Sequence, residues 1–166
     1  MDKVEAAAAL AALDAEIKVC TRCRLHETAT RAVPGEGPID APIVFIGEAP
    51  GFNEDKQGRP FVGQAGQVLE ELLGIIGLKR SEVFIANVVK HRPPNNRDPM
   101  PDETTACAPF LQRQLELIRP RVVVTLGRHS MGKYFPKESI SRIHGQPRRI
   151  GDLVVFPMYH PAAALH

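Results

Sequence analysis

Apolar residues recur at helical spacing from Val4 to Val19, where Leu10, Leu13 and Ile17 share one side of an Ala-rich stretch, so a helix is expected to deliver the chain to Cys20. Pro42 to Ile46 is a short run of strand-forming residues bounded by a Pro- and Gly-rich approach and by Gly47. From Gly63 the pattern turns helical again, with Val68, Leu69, Leu72, Leu73 and Ile76 forming one stripe that stops at Gly77. Val83 to Val89 reads as a second strand. The proline-rich segment from His91 to Pro101 reads as an irregular loop, and Asp102 as the cap of a helix running to Ile118. Val122 to Leu126 predicts a third strand, a short helix follows to Tyr134, and Leu153 to Pro157 predicts a fourth strand ahead of Met158-Tyr159-His160-Pro161.

Short apolar strands alternating with helical segments predict an α/β fold with a mostly parallel, four-stranded sheet covered on both faces. Functional residues in such folds gather where loops leave the carboxyl ends of the strands. Here those loops are residues 47–63, 91–101, 127 onward and 160 to the end. The first contains Gly47-Glu48-Ala49-Pro50-Gly51, which lacks the spacing of a dinucleotide fingerprint and the Lys-Ser/Thr of a phosphate loop. Its small residues suit either a tight turn or close approach to a flat ligand. Phe61, between glycines in the same loop, is either a core plug or a stacking platform. Asn87 sits inside an apolar strand, where a buried amide binds backbone or reads a ligand edge. His160 is either a surface histidine or a proton donor above the sheet.

Composition narrows the class. With 166 residues, 43% of them hydrophobic, and no compositional break, the chain is expected to form one domain over 1–166. No apolar stretch is long enough to cross a bilayer, and the amino terminus carries Asp2 and Glu5 where a secretion signal would be basic, so an intracellular, cytoplasmic protein is expected. Formal charge is only +2, so attraction to nucleic acid would depend on local groups such as Lys90, Arg92 and Arg97, or Arg142, Arg148 and Arg149. Three cysteines, two of them in Cys20-Thr21-Arg22-Cys23, cannot all pair as disulfides, which favours metal over a redox or inert thiol pair.

Taken in order, Gly47 to Asp55, Gly58 to Gly63, Asn87-Val88-Val89-Lys90, Arg92-Pro93-Pro94 with Asn96-Arg97-Asp98-Pro99, and His160-Pro161 resemble the motifs of the family 4, iron–sulfur uracil-DNA glycosylases. The resemblance implies a three-layer α/β/α sandwich and a monomeric prokaryotic enzyme that releases uracil from single- or double-stranded DNA in base excision repair. It also implies a structural 4Fe-4S cluster. Cys20, Cys23 and Cys107 match three of the family's four cysteine ligands, while His91 stands at the fourth. Histidine ligates iron in other centres, and the same four residues would also suit tetrahedral zinc.

By the same resemblance Phe61 stacks on uracil and Asn87 reads its O4 and N3-H. The Glu48-Ala49 backbone contacts the base, His160 hydrogen-bonds O2, Glu54 crowds a thymine methyl, and Leu165 is a wedge for the gap in the DNA stack. Glu48 is the residue expected to guide the attacking water. Family members usually continue into a further helix after the His-Pro loop. Two other readings fit parts of the pattern: a relative that traps the abasic sugar covalently, and a non-catalytic, metal-bound DNA-binding module. The short, proline-rich segment after His91 lacks the basic insertion of the trapping group.

Overall fold

A computed structural model describes residues 1–165. Its helices are α1 (Lys3–Lys18), α2 (Leu25–Thr28), α3 (Phe52–Gln57), α4 (Gln64–Ile75), α5 (Pro101–Ile118), α6 (Arg128–Met131) and α7 (Ile140–Ile143). The strands are β1 (Ile43–Gly47), β2 (Phe84–Asn87), β3 (Val122–Leu126), β4 (Arg148–Ile150) and β5 (Leu153–Met158). They form one sheet in the order β2-β1-β3-β5-β4, parallel throughout except for the β4–β5 pair.

Alternation along β1 sorts the core into two halves. Val44 and Ile46 face a cluster that includes Leu10, Leu13 and Ile17 of α1 and Phe110 and Leu111 of α5. Phe45 faces the other way, against Leu69 and Leu73 of α4. Successive strand side chains point to opposite faces, so both faces of the central strands are covered and the architecture is an α/β/α sandwich. The free edge of β2 is covered by the segment at Glu36, whose backbone exchanges two 2.9 Å hydrogen bonds with Ile85.

Several sequence expectations need correction. The sheet has five strands, not four: Arg148–Ile150 pairs antiparallel with Leu153–Val155 across Gly151-Asp152. Two arginines in three residues carry no apolar alternation, and this edge strand buries little. The stripe on α4 is narrower than its hydrophobicity suggests. Leu69 and Leu73 are buried, whereas Leu72 and Ile76 are exposed. Helix α5 begins at Pro101, so Asp102 lies within its first turn and does not cap it. The capping contact comes from Glu103, whose carboxylate accepts from the Met100 N–H at 2.8 Å.

Glu103 is fully buried and also accepts two 2.8 Å hydrogen bonds from the Arg97 guanidinium. Those Arg97 contacts, with Met100 N–H and Arg24 adding to them, hold its carboxyl down at about 2 against an ordinary 4.5. Because the folded value is depressed, the stabilisation is complete above the unfolded value and is lost as pH falls from about 4.5 towards 2. Glu103→Gln is expected to destabilise the fold by about 1–3 kcal/mol at neutral pH. In urea unfolding the gap from the parent closes as the medium is acidified into that range.

Candidate active site

The carboxyl ends of β1, β2, β3 and β5 open on one side of the sheet, and the segments that follow β1, β2 and β5 enclose a cavity of about 690 Å³. Six residues expected from sequence line it: Glu48, Ala49, Glu54, Phe61, Asn87 and His160. Asn96 and Asp98, delivered by the loop ahead of α5, line it too.

Parallel pairing continues past β1 and sets the floor. Val88 N–H donates to Gly47 O at 3.0 Å and Val89 N–H to Glu48 O at 3.2 Å, which fixes the Glu48 backbone beside Asn87. Asn87 is 2% exposed, yet among the described residues its side-chain amide has no protein hydrogen-bond partner. A buried amide without partners costs free energy unless something else satisfies it. The Asn87 backbone carbonyl, by contrast, accepts from the ammonium of Lys90 at 3.0 Å, and that ammonium also donates to Gln114 Oε1 at 2.8 Å. Lys90 is wholly buried, and burial lowers its pKa to about 8. It is therefore not available to a phosphate, contrary to the reading of Lys90, Arg92 and Arg97 as a basic patch.

Phe61 holds a left-handed backbone, φ 50°, that a bulky residue rarely adopts. The conformation is held by Arg80, which donates to Phe61 O at 2.6 Å and also to Pro60 O. Arg80 is itself fixed by Glu36 at 3.2 Å. Two glycines make room for the ring: a Cβ on Gly66 would lie 1.9 Å from Phe61 O, and one on Gly47 2.6 Å from the Phe61 ring and 2.4 Å from Asn87 Oδ1. Backbone strain of this kind persists where surrounding structure enforces it, and it concentrates at functional sites. Gly47→Ala is expected to push Phe61 and Asn87 apart and to lower the uracil release that the sequence resemblance implies by about 100-fold. Single-turnover kinetics on a uracil-containing oligonucleotide give the measurement.

The Phe61 ring stacks on His160, centroids 5.6 Å apart. His160 Nδ1 accepts from Ala162 N–H at 3.0 Å. A backbone N–H only donates, so Nδ1 carries no proton and the neutral ring keeps its proton on Nε2. Burial lowers the His160 pKa and favours this neutral form, against a smaller opposing pull from Glu54. Glu54 has a second duty. Its carboxylate accepts from Gly51 N–H at 3.0 Å and from Val62 and Gly63 N–H at 2.9 Å each, tying both limbs of the loop to α3.

Sequence reasoning placed Asp98 in a motif without giving it a role and did not single out Arg128 or His129. His129 Nε2 lies 3.5 Å from an Asp98 oxygen and 3.6 Å from one of Glu48. Arg128 Nη2 donates to Asp98 at 2.6 Å. The signal was positional: Arg128 and His129 directly follow the Gly127 that ends β3, a loop expected to carry function.

The cysteines lie apart from the cavity, against the α1–α5 half of the core. Cys20 and Cys23 are partly buried, Cys107 is buried, and all three thiols are free. Backbone donors reach two of the sulfurs, Arg22 N–H to Cys20 Sγ at 3.4 Å and Lys90 N–H to Cys107 Sγ at 3.3 Å. The Lys90 contact brings the start of the next loop beside Cys107, and the adjacent His91 is buried, with His26 and Asp55 the charged groups that face it. Burial lowers the His91 pKa and favours the neutral, ligand-competent ring. Free thiols with N–H groups aimed at sulfur suit a metal centre. Leu165 ends the 3₁₀ turn Pro161–Leu165 and is 45% exposed. Among the described residues, no helix is long and apolar enough to cross a membrane.

A sandwich with this sheet order, and a cavity at the carboxyl ends of its parallel strands lined by a buried amide, an aromatic ring and a neutral histidine, agrees with the family comparisons. The family model of the uracil DNA glycosylase superfamily matches residues 34–166, and the chain belongs to that superfamily. Within it, the chain is 52% identical over 161 residues to the type-4 uracil-DNA glycosylase of Sulfurisphaera tokodaii, covering 91% of this chain and 73% of that protein. It is 49% identical over 152 residues to the type-4 enzyme of Thermotoga maritima, covering 90% and 79%. Similarity to the type-5 uracil-DNA glycosylase of Pyrobaculum aerophilum is lower, 31% over 150 residues, covering 80% and 66%.

Proposed function

We infer that this chain is a uracil-DNA glycosylase of the type-4 kind, hydrolysing the N-glycosidic bond of deoxyuridine in DNA to release uracil and leave an abasic site. The observation that carries the residue-level reading is Asn87, a buried amide with no protein partner among the described residues, open to the cavity beside Phe61 and His160. The whole chain works as one glycosylase domain, a monomer in the cytoplasm of a prokaryotic cell, on uracil in single- or double-stranded DNA.

Inside a duplex the target bond is out of reach, so the nucleotide swings out into the cavity at a cost of about a few kcal/mol. Leu165 fills the gap it leaves. Phe61 stacks on the base, and the Glu48-Ala49 backbone borders it. Asn87 donates from its NH₂ to O4 and accepts from N3-H; cytosine presents the reverse pattern and leaves both groups of a buried amide opposed. Glu54 crowds the position of a thymine methyl.

As the bond breaks, its electron pair moves onto the uracil ring, and His160 donates from Nε2 to O2, where charge accumulates. A neutral donor already aimed at a developing anion needs no reorganisation during the step. The Glu48 carboxylate guides the water that attacks C1′.

Cys20, Cys23, His91 and Cys107 are the residues that would hold a 4Fe-4S cluster. When bound, it supplies a cross-link between the end of α1, the segment after β2 and α5, not electron transfer. Metal analysis of purified protein separates iron with sulfide from zinc.

The test is direct. Purified, metal-loaded protein incubated with a uracil-containing oligonucleotide releases free uracil, and the matched thymine oligonucleotide releases none. Absence of release from folded protein overturns the reading, and a protein–DNA adduct stable to denaturing electrophoresis replaces it with covalent trapping.

A further inference from the structure

Along one wall of the cavity, to which Glu48 and Asp98 belong, three titratable side chains from three parts of the chain come together. Glu48 follows β1, Asp98 comes from the loop before α5, and His129 stands in α6; their ligand atoms all lie within 4.8 Å of one another. His129 Nε2 faces both carboxyls, at 3.6 Å from Glu48 and 3.5 Å from Asp98, and is buried without a hydrogen-bond partner. Arg128, also in α6, closes the group with its 2.6 Å bond to Asp98. These are the charged groups that face Glu48.

Two carboxyls this close do not ionise independently, because a second negative charge beside the first is unfavourable. Their surroundings sort them. Burial comes first in pushing Glu48 up to about 7, followed by the hydrogen bond and the charge of Asp98, with Arg128 opposing. Asp98 is held below its ordinary range by the bond from Glu48, with His129 and Arg128 adding to it. Around neutrality Glu48 is thus the member that gains and loses the proton, and Asp98 is the fixed anion.

We propose that Asp98, anchored by Arg128 with His129 alongside, is a positioning residue that aims the Glu48 carboxyl at the attacking water and shares the proton that Glu48 receives. This rests on the reading of Glu48 as the water-guiding group. The water oxygen bonds to C1′ while the C1′–N1 bond breaks, its electron pair leaving with uracil as the anion that His160 stabilises. The proton lost by the water passes to Glu48 and is held between Glu48 and Asp98. The reactive form has Glu48 ionised, so the rate of uracil release rises with pH as Glu48 loses its proton.

The experiment is the pH profile of single-turnover uracil release, from about pH 5 to 9, for the parent, Asp98→Asn, Arg128→Gln and Glu48→Gln. Asp98→Asn removes the neighbouring charge, and its midpoint moves towards acid by about one pH unit or more, with the plateau reduced about tenfold by lost orientation. Arg128→Gln removes the opposing cation from an exposed position, and its midpoint moves towards alkali. A merely structural role for these residues would lower the plateau and leave the midpoint in place. Opposite shifts in the two variants support the proposal. Unmoved midpoints with Glu48→Gln inactive overturn it and leave the role of Glu48 standing. Full activity in Glu48→Gln removes that role, and the proposal falls with it.

Discussion

Replacing Asn87 with alanine lowers single-turnover uracil release by about 10²–10³-fold, the effect typical of removing one preorganised donor from an active site. Three features of the structure support a loss in chemistry without collapse of the fold. The amide makes no hydrogen bond to the protein among the described residues, so truncation strands no partner. The backbone carbonyl that Lys90 grips is unchanged by the substitution. The neighbours Val88 and Val89 remain paired to Gly47 and Glu48. Thermal unfolding of Asn87→Ala is accordingly expected within a few degrees of the parent. Asn87→Asp sharpens the test: it keeps the shape and the acceptor but replaces the donor to O4 with an oxygen. It is expected to fall as far as alanine on uracil, because a buried carboxylate opposite a carbonyl is repulsive.

The second large effect is on stability. Cys107→Ser is expected to abolish metal retention and to cost on the order of 5 kcal/mol or more, since the free energy of binding a structural metal is free energy of folding. For a chain of this size that corresponds to a fall in Tm of about 10–20 °C. Cys107, on α5, is the buried one of the three cysteines, in the half of the core that α5 shares with α1, and its sulfur accepts from Lys90 N–H at 3.3 Å, so it joins α5 to the segment after β2. Unfolding followed by circular dichroism, with iron and sulfide assayed in parallel, checks both parts. His91→Cys goes the other way: restoring a fourth thiolate is expected to slow loss of metal to a chelator. A Cys107→Ser protein as stable as the parent and still metal-loaded would show that the cysteines are ordinary core residues.

Much of this was legible in the chain. The third strand is found where Val122 to Leu126 places it, because a β-branched run ended by glycine leaves little choice. Glu48 and Phe61 come from the loop after β1, Asn87 from the end of β2 and His160 from the loop after β5, yet the rule that parallel sheets expose their carboxyl ends pointed to all of them, and they share one cavity. What escaped notice depends on long-range contact. Arg148–Ile150 becomes a strand only because β5 is there to pair with it. Lys90 looks solvent-seeking in sequence, and its bonds to the Gln114 side chain of α5 and to the Asn87 backbone carbonyl make its burial tolerable. Asp98 and His129 gain meaning from Glu48, far away in sequence, and no local pattern announces such a meeting.

The fate of the basic residues has a consequence for how the protein reaches its target. Lys90 is sealed in the core, Arg97 is bound to Glu103, Arg128 to Asp98, and Arg59 and Arg80 to Glu36. Each cation so bound is one fewer to displace counterions from a nucleic-acid backbone, and Arg92, held by Asn96 and Phe52, is without a carboxylate partner among the described residues. Capture should therefore depend only weakly on ionic strength, with a shallow slope of log affinity against log salt. Such a protein gains little from long-range attraction and samples its lattice by many brief encounters, so discrimination rests on the one nucleotide that fits.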